Sequence, residues 1–130
     1  MTSATTVTTT KTETVLGVQA SGELPVEAFN AHAESIDEPW ERDVQATTEQ
    51  FLALGTHETG NRSFQSSSSG DSARASLLID GLGDDSVRAR SYELTFARRA
   101  DGTWRISSAT WAQRCQEGRG HRDFSPEPCL

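Results

Sequence analysis

The chain has 130 residues and a formal net charge of −7, from 12 basic and 19 acidic side chains. That length holds one domain with one modest core, and the charge argues against nonspecific binding to nucleic acid or anionic lipid. No stretch is long and apolar enough to span a bilayer as a helix, so no membrane insertion is expected.

Residues 1–12 are threonine-rich and contain no aromatic side chain, which predicts a disordered lead-in to a single domain over residues 13–130. The start has neither the basic region nor the apolar core of a secretory signal. As written, the chain is expected in the cytoplasm; removal of a signal segment would place it in a periplasm or lumen instead. Val15, Leu16 and Val18 suggest a short strand, and residues 26–36, with Val26, Phe29 and Ile36, read as either a short helix or a loop.

The clearest helix follows. Asp37 is suited to cap it, Pro39 suits its first turn, and Glu38, Glu41 and Asp43 place negative charge at its positive end. Trp40, Val44, Thr47, Phe51 and Leu54 then recur at spacings of four, three, four and three, one stripe running to a stop at Gly55. Residues 56–72 are polar and read as a flexible connection, with a short strand around Phe64.

Three strands come next. Ala73, Ala75, Leu77 and Ile79 alternate, and Gly81 to Asp85 turn the chain. Tyr92, Leu94 and Phe96 share one face of a long strand, while Val87 and Ala89 have the opposite parity, which calls for a bulge near Ser91. Asp101-Gly102 signals a hairpin. The return strand carries Trp104 and Ile106 on one face and Ala109 and Trp111 on the other, so a second bulge or strong twist is expected midway. One main helix packed on a curled antiparallel sheet is an α+β roll, with the helix in the concave face.

Cys115 and Cys129 are the only cysteines and enclose Gly118-Arg119-Gly120-His121-Arg122-Asp123-Phe124. Three readings stand: a structural disulfide closing a C-terminal loop over 115–129, free thiols, or redox or metal chemistry. No Cys-x-x-Cys motif occurs. With His121 the cysteines make three soft ligands, one short of a structural zinc set unless His57 or His32 joins. His121, Asp123 and Ser125 supply the residue types of a catalytic triad but not its geometry. No metal, cofactor or catalytic residue is assigned, and the chain is expected not to be an enzyme.

Charge separates along the chain. Residues 1–85 hold four basic and fourteen acidic side chains, net −10; residues 86–130 hold eight and five, net +3. Gly118 and Gly120 could let the backbone present Arg119, His121 and Arg122 as a basic claw, extended by Arg98, Arg99 and Arg105 around the hairpin, with Trp111 beside Arg114 as an aromatic anchor. The bland alternatives are arginines paired within the fold, Phe124 as a core plug and the aromatics as core. The functional reading is a protein-binding or assembly protein that meets an acidic partner and forms a homodimer through its sheet. A small-molecule pocket or a roll-type enzyme with its site between helix and sheet is the alternative.

The segments Asp84-Asp85-Ser86-Val87-Arg88, Tyr92-Glu93-Leu94, Asp101-Gly102-Thr103-Trp104-Arg105 and Arg114-Cys115-Gln116-Glu117-Gly118-Arg119-Gly120-His121-Arg122-Asp123-Phe124-Ser125, closing at Cys129, resemble a group of small bacterial proteins of cyanobacterial type. The similarity covers residues 84–130, with a looser match around Trp40. It carries no activity, cofactor or site role with it. The order of elements also resembles the cystatin-like, NTF2-like roll, which implies a curled sheet around a helix.

Overall fold

A computed structural model describes residues 22–53 and 60–130. The element order is α1 (Glu27–Glu34), a 3₁₀ turn (Pro39–Arg42), α2 (Val44–Leu52), β1 (Asn61–Ser69), β2 (Ser72–Asp80), β3 (Val87–Arg98) and β4 (Trp104–Cys115). The strand suggested around Val15–Val18, the 12/13 domain boundary and the helix stop at Gly55 lie outside the described residues.

The roll is not formed. The four strands make one antiparallel meander in the order β1-β2-β3-β4, an open sheet that does not curl. The cystatin-like, NTF2-like assignment is therefore wrong, although the α+β class holds. A physical reason lies in the helix that the sheet was expected to enclose. The stripe from Trp40 onward is broken at Asp43, whose backbone is extended (φ −131°, ψ 126°) and whose carboxylate accepts the Ala46 N–H at 2.8 Å. Asp43 is an N-cap, not a helix interior. Upstream of it, Glu38 and Glu41 form a reciprocal capping box around the 3₁₀ turn. What remains is two helices of eight and nine residues, too short to fill a long concave face.

The core lies on one face of the sheet. Paired positions in an antiparallel ladder share a face, which puts Ala73, Ala75 and Leu77 of β2 beside Phe96, Leu94 and Tyr92 of β3. Leu94 and Tyr92 in turn face Ala109 and Trp111 of β4. Phe29 and Phe51 pack edge to face at 5.3 Å between centroids, Phe29 meets Trp40 at 5.6 Å, and Phe96 meets Trp104 at 6.5 Å. Val26, Val44 and Phe64 pack against the same cluster. The opposite face, at the sheet centre, is small and polar: Ser76 donates to Glu93 at 2.8 Å, and Thr95 and Ser108 hydrogen-bond at 2.7 Å.

Of the two expected parity breaks, the one in β4 is present; the one near Ser91 is not, and Ala89 stays on the face opposite Tyr92. The ladder shifts between Thr95 and Phe96, where Ser107 is the extra residue of β4, and this brings Trp104 and Ile106 onto the face of Ala109 and Trp111. A separate shift between Val87 and Ala89 turns Val87 alone onto the face of Tyr92 and Leu94. The serine run expected in a loop is strand: Ser66 to Ser69 pair with Ala75 to Ser72. The hairpin turn that recruits them is Gly70-Asp71, with Gly70 at φ 60°, the first position of a primed two-residue turn.

The sheet's two edges differ. Along β4, Leu24 N–H donates to Ala109 at 2.9 Å, Trp111 N–H to Gly22 at 2.8 Å, and Gln113 and Ser125 exchange two bonds at 2.9 Å. Asn30 completes the edge by pairing its side-chain amide with both backbone groups of Ile106, at 2.9 and 3.2 Å.

Candidate binding loop

Cys115 and Cys129 form a disulfide with Cα atoms 5.5 Å apart. Among the three readings of the cysteines, this is the one present. The bond is only one of several ties. Cys115 N–H donates to His121 O at 3.1 Å, Gln113 Nε2 to Glu127 O at 2.9 Å, and Leu130 N–H to Arg119 O at 2.7 Å. On the other side, Gln116 N–H donates to Ser86 O at 2.8 Å and its side chain to Asp84 O at 3.0 Å. Gly120 has φ 136°, and a Cβ there would sit 3.0 Å from Cys115 Sγ, so any other residue would be strained and tight against the disulfide.

His121 sits inside this loop with both ring nitrogens against carbonyls: Nδ1 is 2.8 Å from Asp123 O and Nε2 is 2.9 Å from Glu127 O. Carbonyls only accept, so both bonds are satisfied when both nitrogens carry protons. The Glu127 carbonyl, then that of Asp123, thereby raises the imidazole pKa above its ordinary 6.5, with the Asp123 and Glu127 charges adding to the effect. A ring held this way has no lone pair for a serine hydroxyl, and Ser125 Oγ instead accepts the Glu127 N–H at 3.2 Å. The triad residue types are adjacent without triad geometry.

The expected basic patch separates into two groups. Arg105 is committed: Nη1 lies 3.1 Å from Glu41 and Nε 3.4 Å from Glu34, and its side chain is only 13% exposed. Arg99 also pairs with Glu34, and Arg98 pairs with Asp71 at 3.1 Å while lying over Trp104. Arg114 reaches Asp80 at 3.6 Å and stacks over Phe124 at 5.1 Å from its centroid. Trp111 is half-buried on the core side of the sheet. Arg119 and Arg122 are exposed, and neither has an ion pair among the described residues.

Sequence reasoning missed Asp80, which gathers Arg88 at 3.1 Å as well as Arg114, and whose carboxyl Arg88 holds below the usual range. It also missed the burial of Glu41; the Glu38-x-x-Glu41 spacing before the aromatic stripe was the available signal. An open hollow of 470 Å³, lined by residues 23–27 and 107–110, lies beside the Ser107 bulge. Facing the core side of the sheet are Phe29, Val44 and Phe51, which pack against its buried residues. No helix among the described residues is long and apolar enough to cross a membrane.

No family model matches the chain, and no curated protein or solved structure was found to match it. The resemblance to small bacterial proteins rests on the motifs of residues 84–130 and the looser match around Trp40.

Proposed function

We propose that this chain is a non-enzymatic binding or assembly protein that offers Arg119 and Arg122 to a carboxylate-rich surface on a protein partner. The observation that carries this reading is the contrast among the arginines. Arg98, Arg99, Arg105 and Arg114 are each paired within the fold, whereas Arg119 and Arg122 are exposed on a loop closed by a disulfide and hydrogen-bonded along its length. A guanidinium held on a rigid backbone can meet a carboxylate with two parallel bonds and little further loss of entropy. Glu117, Asp123 and Glu127 offset the loop's own positive charge, so the reading depends on the placement of two forks and not on a net basic field.

The proposal includes a homodimer formed through the sheet. Among the described residues no strand pairs with the outer side of β1, nine residues in which Arg62 is the only charge. Natural edges are ordinarily guarded by charges, prolines or bulges.

The test is capture from native extract by the tagged protein beside its Arg119→Glu/Arg122→Glu variant. The expected result is a partner whose binding weakens with salt and disappears with the folded variant. Equal capture by both proteins overturns the loop assignment. Sedimentation equilibrium reads the dimer directly, and a monomer across the concentration range overturns that part.

A further inference from the structure

We propose that reduction of the Cys115–Cys129 bond converts this loop into a Cys₂His site for a thiophilic cation of the zinc class. One ligand atom each from Cys115, His121 and Cys129 lies within 4.8 Å of the others. Zinc–sulfur and zinc–nitrogen bonds of about 2.3 and 2.0 Å imply donor separations of roughly 3.5 to 3.8 Å in a tetrahedron. Breaking the disulfide lets its sulfurs separate to that spacing through side-chain rotation, with the ring already within reach.

Other ties hold the loop beside the bond that is broken. Cys115 stays tied to the His121 carbonyl, Gln113 to Ser125, and the Gln113 side chain to Glu127. His121 also has its outer support in place. Whichever ring nitrogen takes the cation, the other can keep its proton on a backbone carbonyl, Asp123 O or Glu127 O. This is how metal-bound imidazoles are oriented. Cys115 is fully buried, while His121, its side chain 15% exposed, and Cys129 are partly buried, so the site has a dry floor and a narrow opening to solvent. With three protein ligands, the fourth position is left for water or an external ligand.

The chemistry balances with a dithiol or phosphine as reductant. A dithiol gives two electrons and two protons to the disulfide and closes to its own disulfide. A phosphine gives the two electrons, while one water supplies both protons and its oxygen to the phosphine oxide. Either way two cysteine thiols remain. The cation then displaces both thiol protons and, where the ring is charged, one imidazole proton. The loop would thus hold a cation when reduced and not when oxidised, independently of the partner surface proposed for Arg119 and Arg122.

The experiment titrates the full chain with Co²⁺ under anaerobic conditions, phosphine-reduced and oxidised in parallel, and then displaces Co²⁺ with Zn²⁺. The reduced chain is expected to take one equivalent, with the sulfur-to-cobalt charge-transfer band and intense visible bands of tetrahedral thiolate coordination; the oxidised chain shows neither. His121→Ala should weaken binding by more than about tenfold, while Arg119→Glu/Arg122→Glu leaves it unchanged. Circular dichroism accompanies each titration. If the reduced chain unfolds, the cation is expected to refold it. Absence of the charge-transfer band, equal affinity in His121→Ala, or a reduced chain that stays unfolded with cation present each overturns the proposal.

Discussion

Oε1 of Glu41 lies 3.1 Å from Nη1 of Arg105, and the carboxylate end of this pair is almost completely buried, its side chain 2% exposed. The same carboxylate accepts the Glu38 N–H at 2.8 Å through its other oxygen. One side chain thus closes the 3₁₀ turn and ties it to β4. An arginine that looked available for a partner is an internal strut.

Removing one member of a buried pair leaves the other charge uncompensated, a loss of about 3 to 5 kcal/mol. Arg105 is 13% exposed and Glu34 still stands 3.4 Å away, so Glu41→Ala should fall at the lower end of that range. Glu41→Met with Arg105→Met should recover most of the loss, because neither charge then needs a partner. Urea unfolding of the three proteins checks this. A Glu41→Ala loss below about 1 kcal/mol would remove the strut role.

His121 gives the loop a pH dependence of defined sign. Its pKa in the folded chain is raised above 6.5 by the carbonyls of Glu127 and Asp123. The folded state therefore binds the proton more tightly than the unfolded state, and the resulting stability is complete below the unfolded pKa. It is lost as pH rises through the folded value. Thermal unfolding of the wild type and His121→Gln across pH 5 to 9 should show the two curves converging as pH increases, at roughly the ordinary histidine range and just above it. A gap that widens toward alkaline pH contradicts the two-carbonyl arrangement.

Gly118 and Gly120 should respond unequally to alanine. Both have positive φ, 81° and 136°, but a Cβ at Gly118 meets open space while one at Gly120 meets Cys115 Sγ at 3.0 Å. Gly118→Ala should cost about 1 kcal/mol from backbone strain alone. Gly120→Ala should cost about 2 to 3 kcal/mol, since φ 136° is accessible to few residues other than glycine and the disulfide blocks relaxation. Under reducing conditions the steric part of the second penalty should shrink. Matched unfolding curves with and without reductant measure both effects; equal losses for the two variants would sink the close-contact argument.

Local chemistry was legible where a signal acts over a few residues. The alternation of Ala73 to Ile79 marks β2 and the Asp101-Gly102 turn marks the β3-β4 hairpin, while the parity change between Ile106 and Ala109 points to a bulge or twist that the structure places at Ser107. The helix from Trp40 to Phe51 was half right. Its apolar spacing passed smoothly through Asp43, and spacing cannot register that an aspartate has its carboxylate on the Ala46 N–H. The Ser66–Ser69 run was misread for a different reason. Serine has little preference for a strand, and only the turn at Gly70-Asp71 and the long apolar neighbour β2 draw it into the ladder.

By itself the sequence determined the α+β class, the presence of one core, the β2-β3-β4 meander and the small set of residues from which a C-terminal site could be built. These follow from periodicity, turn geometry and residue chemistry, all of which are local. Tertiary structure decided that the sheet stays open, that Cys115 and Cys129 join, and that Arg105 serves Glu41 while Arg119 and Arg122 face solvent. Those outcomes turn on which groups meet across long stretches of chain. Coulomb attraction and desolvation depend on distance and burial, and a one-dimensional pattern carries neither.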